Sequence, residues 1–161
     1  MRCKIVMMIR SFLPVGQGAF YCEQFMDDLK REWVNVVYDC GSSTNVKLVE
    51  EQIKNNFEKD EIIHAVFISH LDEDHINGIP FLLKYCKVKK IFFPLLTEEN
   101  AKYLRLYNLI KYNGRESFTS LFARNPYEAL NYLNIGYSPS LYQIRETEES
   151  YSVIDVRGIS S

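Results

Sequence analysis

The chain has 161 residues, a formal net charge of −2, 47% hydrophobic and 25% charged residues, and only 7 glycines and 5 prolines. That length allows one domain with one sizeable core, and the composition excludes disordered, collagen-like and low-complexity chains. The slightly acidic balance gives no global attraction for nucleic acid or an anionic membrane, so a nucleic-acid substrate would depend on metal ions and a local patch.

Residues 1–10 carry charge at each end of a short apolar run and lack the long apolar region and cleavage site of an export signal. They read as part of a strand over residues 5–13, followed by a turn at Pro14-Val15-Gly16-Gln17-Gly18. Residues 19–25 form a second, aromatic strand, and 27–31 a charged turn. Residues 33–39 form a third strand ending at Cys40-Gly41, and short turns make the three an antiparallel meander.

The period then changes. Ser43 or Thr44 caps a helix running to about Phe57, with Val46, Val49, Ile53 and Phe57 on one stripe. Residues 62–69 are almost continuously apolar, which predicts a strand buried on both faces. Gly78-Ile79-Pro80 opens a helix through about Tyr85, residues 88–94 form a strand, and Thr97 caps the next helix. Helix continues to 135, broken at Asn113-Gly114, restarting near Asn125-Pro126 and stopped by Tyr137-Ser138-Pro139. Residues 142–144 and 151–156 are late strands joined by the acidic turn 146–150. The alternation is an α/β pattern, with functional residues expected at strand C-terminal ends. No repeat or long linker divides it, so residues 1–161 read as one domain.

The apolar runs at 62–68 and 91–96 are too short to span a bilayer. Cys3, Cys22, Cys40 and Cys86 are widely spaced, which argues against a zinc knuckle or a disulfide framework and for free, mostly buried thiols in the cytoplasm.

The chemistry concentrates directly after the buried strand, where His70-Leu71-Asp72-Glu73-Asp74-His75 holds two of the three histidines of the chain. Imidazole nitrogens with carboxylate oxygens suit Zn, Mn or Fe(II). A loop leaving a strand can turn His70, Asp72 and Asp74 inward with His75 beside them, and four donors are more than one ion takes from so local a source. A solvated acidic turn with a helix cap is the plain alternative, but it gives no reason for a histidine at each end. Glu73 is expected to face solvent, and His64, inside the apolar run, to be a core or strand-edge residue.

The segment Ser69-His70-Leu71-Asp72-Glu73-Asp74-His75-Ile76-Asn77-Gly78 closely resembles the metal loop of the metallo-β-lactamase superfamily. The glycine turn at 14–18, the Asp39-Cys40-Gly41 turn and the helix leading into the metal strand follow in the order of that family. The resemblance covers about residues 1–95. It implies an αββα sandwich, of which this chain would hold the N-terminal portion with an incomplete second half, truncated at the C-terminus. It further implies His70, Asp72, Asp74 and His75 as ligands of up to two divalent ions, Zn or Mn, with Asp74 also orienting the attacking water. Asp39 would fix the loop by hydrogen bonds rather than bind metal, and Gly41 and Gly78 would permit tight turns.

The sequence departs from the family at Asp72, where most members have His. The Asp form is similar to the subgroup that includes the hydrolase domain of competence-type DNA-uptake proteins, which share the Val-Gly-Gln-Gly turn. A carboxylate there favours oxygen-loving ions such as Mn and points to phosphodiester or related ester hydrolysis by a metal-bound hydroxide. After His75 the chain has no histidine, and Asp155 is its only further aspartate. The downstream ligands of the family are therefore missing.

A catalytically incomplete protein acting as an interaction or regulatory module is the alternative, supported by Tyr103, Tyr107, Tyr112, Tyr127 and Tyr132. On either reading one sheet face stays uncovered unless a second copy or a protein partner covers it. Direct DNA binding through Lys84, Lys87, Lys89 and Lys90 is opposed by the net charge.

Overall fold

The computed structural model describes residues 7–27, 30–146 and 151–155. In chain order the elements are β1 (Met8–Phe12), β2 (Gly18–Asp27), β3 (Glu32–Ser42), α1 (Val46–Asn56), β4 (Ile62–Ile63) and β5 (Ala65–Phe67). There follow α2 (Glu73–Ile76), α3 (Ile79–Tyr85), β6 (Lys87–Val88), β7 (Lys90–Pro94), α4 (Glu98–Lys111), α5 (Phe118–Arg124), α6 (Pro126–Leu133), β8 (Ser140–Glu146) and β9 (Tyr151–Asp155). Among the described residues seven strands form one sheet in the order β1-β2-β3-β5-β7-β8-β9, and β4 pairs with β6 in a separate ladder.

The meander predicted at the start is present, with β1, β2 and β3 antiparallel. From β3 onward β5, β7 and β8 are parallel, joined by helical crossovers, and β9 closes the order antiparallel to β8. The parallel strands therefore point their C-terminal ends to one edge of the sheet, where the candidate loop leaves β5. The mixed α/β architecture expected from the sequence is thus present among the described residues.

Alternation sorts the strands into two unlike faces. Cys22, Val37, Val66, Ile91, Phe93 and Leu141 point under the helices and are buried together with Val49, Ile53, Leu82 and Phe122. The opposite face carries a row of rings crossing six strands. Phe12, Tyr21, Tyr38, Phe67, Phe92 and Tyr142 follow one another at centroid separations of 4.6, 5.4, 5.2, 4.6 and 4.9 Å. No described helix covers this row, and Phe12 at its end is 84% exposed.

Three local expectations change. The helix after the meander is capped by Asn45, whose side chain accepts from the Lys47 N–H at 3.0 Å, rather than by Ser43 or Thr44. Thr44 is engaged elsewhere, its hydroxyl accepting from the Gln17 N–H at 2.8 Å and so tying down the glycine turn. The run at 62–69 is two short strands, β4 and β5, because the chain switches ladders at His64. There the His64 N–H donates to the Asn35 carbonyl at 2.8 Å, and His64 Nδ1 accepts from the Asn35 N–H at 3.2 Å. Burial lowers the His64 pKa, consistent with a neutral, structural imidazole. The strand expected over 88–94 is likewise divided into β6 and β7. Residues 1–6, the tip of the acidic turn at 147–150 and residue 156 lie outside the described residues.

Candidate functional site

The loop after β5 is pinned from below by its apolar residues. Leu71 and Ile76 are buried, so the polar residues between them are carried on a short arc at the sheet edge. Beneath that arc the end of β3 comes unusually close. The Gly78 N–H donates to the Cys40 carbonyl at 2.8 Å. Asn77 closes a two-way bridge with Ser42, accepting from its N–H at 3.0 Å and donating to its carbonyl at 2.7 Å. Gly41 and Gly78 act through this close approach. A Cβ on Gly41 would stand 2.5 Å from the Asp74 carbonyl carbon, and one on Gly78 2.8 Å from the Cys40 oxygen.

Asp39 sits at the centre of the arrangement, buried and at a left-handed φ of 53°. Its Oδ1 accepts from the Ser69 N–H at 2.7 Å, and its Oδ2 from the Ser69 hydroxyl at 2.6 Å and from His75 Nδ1 at 2.9 Å. Ser69 Oγ lies 2.9 Å from His70 Nδ1. With its proton given to Asp39, Ser69 Oγ accepts from His70, so both histidines carry their proton on Nδ1 and leave the Nε2 lone pair free. His75 Nε2 then stands 3.8 Å from Asp74 Oδ2.

This nitrogen–oxygen separation is a little wider than that of two ligands sharing one ion. Nitrogen and oxygen ligands each about 2.0–2.2 Å from one ion lie roughly 3–3.6 Å apart. The described residues hold no group of three or more His, Cys, Asp or Glu side chains gathered around one point. His70 and His75 have ring centroids 5.1 Å apart, and Asp72 is exposed on the same loop.

Glu73 does not face solvent as its place in an acidic loop suggested. Its side chain is only 13% exposed; it accepts from Lys111 Nζ at 2.8 Å and from the Tyr112 hydroxyl, both at the end of α4. The hydrogen bond to Glu73 raises the Lys111 pKa, and burial, then Glu73, raises that of Tyr112. Ser69, Asn77, Lys111 and Tyr112 are the site residues that sequence reasoning missed. Only Ser69 and Asn77 carried a signal, as the polar flanks of the histidine segment.

Over the loop opens a cleft of about 740 Å³, with Ser69, His70, Asp72 and Asp74 on one side and Leu96, Tyr103, Leu104 and Tyr107 on the other. Lys84, Lys87, Lys89 and Lys90 are absent from its lining. Lys87 pairs instead with Asp60 at 3.1 Å, and Lys90 lies over the Tyr142 ring.

Three cysteines are described, all free and buried. Burial pushes the thiols of Cys22 and Cys86 up to about 12 and that of Cys40 well above its ordinary value. An unfolded chain ionises its thiols near about 8.5, so these groups leave stability unchanged below that pH. Above it only the unfolded state loses thiol protons, and stability falls as pH climbs towards about 12. The urea midpoint is expected to drop between about pH 8 and pH 11. The native protein should also leave Cys22, Cys40 and Cys86 unmodified by iodoacetamide at pH near 8, as read by peptide mass spectrometry.

Residues 34–110 match the family profile described as the metallo-beta-lactamase superfamily. Among solved structures, the chain is similar to a chemotaxis sensor described as a peroxy diiron species, at 21% identity over 64% of this chain and 39% of that one, with a TM-score of 0.37. It is also similar to a subclass B3 metallo-beta-lactamase from a soil metagenome library, at 18% identity over 56% of this chain and 31% of that one, with a TM-score of 0.34. A beta-lactamase domain protein from Burkholderia ambifaria matches at 17% identity over 75% of this chain and 37% of that one, with a TM-score of 0.37. The chain thus spans between 31% and 39% of the length of these structures. No curated protein matches it. Within the described residues, no helix is long and apolar enough to cross a membrane. The profile match runs along the α/β framework from β3 into α4, a little under half of the chain, and is a similarity to the metallo-beta-lactamase superfamily.

Proposed function

We propose that this chain provides the donor loop of a metal-dependent hydrolase acting on phosphodiester or related ester bonds. The superfamily match supports metal-dependent hydrolysis in general. The observation that carries the reading to these residues is the Asp39–His75 hydrogen bond of 2.9 Å, which directs the free Nε2 of His75 towards Asp74. On this reading His70, Asp72, Asp74 and His75 hold Zn or Mn, up to two ions, and Asp39 positions His75 and Ser69. Bound ions would supply Lewis acidity for water and for the ester. Asp74 would orient the attacking water through its second oxygen, and the cleft wall on α4 would limit the approach of bulk solvent. The Asp at position 72 favours oxygen-loving ions and a phosphorus-centred ester.

The test is titration of the full chain with Zn and Mn, followed by hydrolysis of bis(p-nitrophenyl) phosphate. Asp74→Ala is expected to weaken ion binding at least about tenfold and to abolish turnover, while far-UV circular dichroism stays unchanged because the side chain is one-third exposed. A well-folded wild type that binds neither ion sinks the reading.

The ring row on the open sheet face favours a second reading, an interaction or regulatory module that retains the fold without turnover. A partner capture insensitive to combined His70→Ala and Asp74→Ala substitution would support it.

A further inference from the structure

The two walls of the cleft differ in kind. The loop wall is polar and acidic, whereas the α4 wall presents exposed ring faces, that of Tyr107 with the Lys111 ammonium beside it. Tyr103 is 66% exposed and Tyr107 61% exposed, although both line the cleft. Leu104, between them in sequence, packs against the core and mounts the helix. These tyrosines are therefore not held out of water by packing, and an aromatic surface beside a polar floor is how sites for amphipathic ligands are built.

The wall is also fixed relative to the loop. Lys111 Nζ lies 5.8 Å from the centroid of Tyr107 and 5.7 Å from that of Tyr112, and the same ammonium is held by Glu73 at 2.8 Å. One residue of the donor loop thus sets the position of a ring across the cleft. The pairing has a consequence for recognition. Lys111 is paired with Glu73, so what the described residues of the α4 wall offer a ligand is chiefly ring area.

Resting on the hydrolase reading above, we propose that the cleft takes an anionic ester bearing a flat aromatic group, an aryl or nucleoside ester of phosphate. Its ring stacks on Tyr103 and Tyr107, and its ester faces His70 and Asp74 across the cleft. A cleft of about 740 Å³ accommodates a ligand of that size. The two tyrosines are positioning and selecting residues and touch only the aromatic group.

The experiment uses phosphonates, whose carbon–phosphorus bond is not hydrolysed, so binding is read without turnover. The full chain loaded with Mn is titrated by calorimetry with phenylphosphonate, methylphosphonate and cyclohexylphosphonate. Phenylphosphonate is expected to bind at least about tenfold tighter than methylphosphonate, as base-on-aromatic stacking commonly provides. Cyclohexylphosphonate should fall near methylphosphonate. Tyr103→Ala with Tyr107→Ala should remove the preference and leave methylphosphonate binding unchanged, and Tyr107→Phe should keep it. Both side chains are exposed, so the double variant is expected to fold, as its thermal midpoint will report.

Equal affinity for all three phosphonates, or a preference surviving in the double variant, overturns the proposal. So does cyclohexylphosphonate binding as tightly as phenylphosphonate, which would mark the wall as merely apolar. If Mn itself fails to bind before any phosphonate is added, the hydrolase reading falls with it. Mn binding with no phosphonate preference overturns the aromatic assignment alone.

Discussion

Gly41→Ala is expected to destabilise the protein by on the order of 3 kcal/mol or more, the upper range for overpacking. The reason is that no neighbour can move aside. The new Cβ would lie 2.5 Å from the Asp74 carbonyl carbon, 2.6 Å from the His75 nitrogen and 2.7 Å from the Asp74 oxygen, all of them backbone. Relief would require lifting the loop off β3, breaking the Gly78–Cys40 hydrogen bond and the Asn77–Ser42 bridge along with it. A contrast separates crowding from backbone strain. A Cβ on Gly114 would meet nothing within 4 Å, but φ is +80° there. Gly114→Ala should therefore cost only about 1 kcal/mol. Urea unfolding of the two variants checks both figures. Similar midpoints for the two would refute the close-approach account.

Asp39→Ala should be about as damaging, on the order of 3 kcal/mol, because one buried carboxylate accepts from three donors. Truncation strands the Ser69 N–H and frees His75 to change tautomer, and alanine tolerates the left-handed φ of 53° poorly. Asp39→Asn isolates the electrostatic part. Asparagine accepts the left-handed backbone and keeps the shape, but it presents an amide donor where an acceptor is needed. It should recover about 1 kcal/mol of stability over the alanine variant while leaving His75 disordered between its nitrogens. The nitrogen-15 shifts of the imidazole distinguish the outcomes. Protonation held on Nδ1 in both variants would show that Ser69 alone orients the ring.

Much of this was legible because it depends on short-range pattern. The meander, the amphipathic helix after it and the restart at Asn125-Pro126 follow from periodicity and capping chemistry. The histidine segment stood out because its residue types are rare together. What could not be read were pairings between residues far apart in sequence. His64 breaks an apolar run into two ladders only because Asn35, 29 residues earlier, binds it at both backbone and ring. Glu73 looked solvated because its partners, Lys111 and Tyr112, come 38 and 39 residues later on a different helix. Asn45 displaced Thr44 as a cap because Gln17 had already claimed the threonine hydroxyl.

The ring row on the open face divides the sheet mechanically. Between β1 and β3 its neighbouring rings are tilted by 37° and 42°, whereas from β3 to β8 the interplanar angles are 15°, 11° and 16°. Strands twist naturally about one another, and near-parallel stacking from strand to strand resists that twist. The parallel half of the sheet is thus the stiff plate and the β1–β2 hairpin the compliant flap. Both anchors of the candidate loop, Asp39 at the end of β3 and Ser69 after β5, are bolted to the plate. The flap nonetheless meets the loop at one point, since a Cβ on Gly18 at the start of β2 would stand 2.9 Å from the Asp74 oxygen, so something docking on the hairpin would be felt at His70 to His75 through that contact.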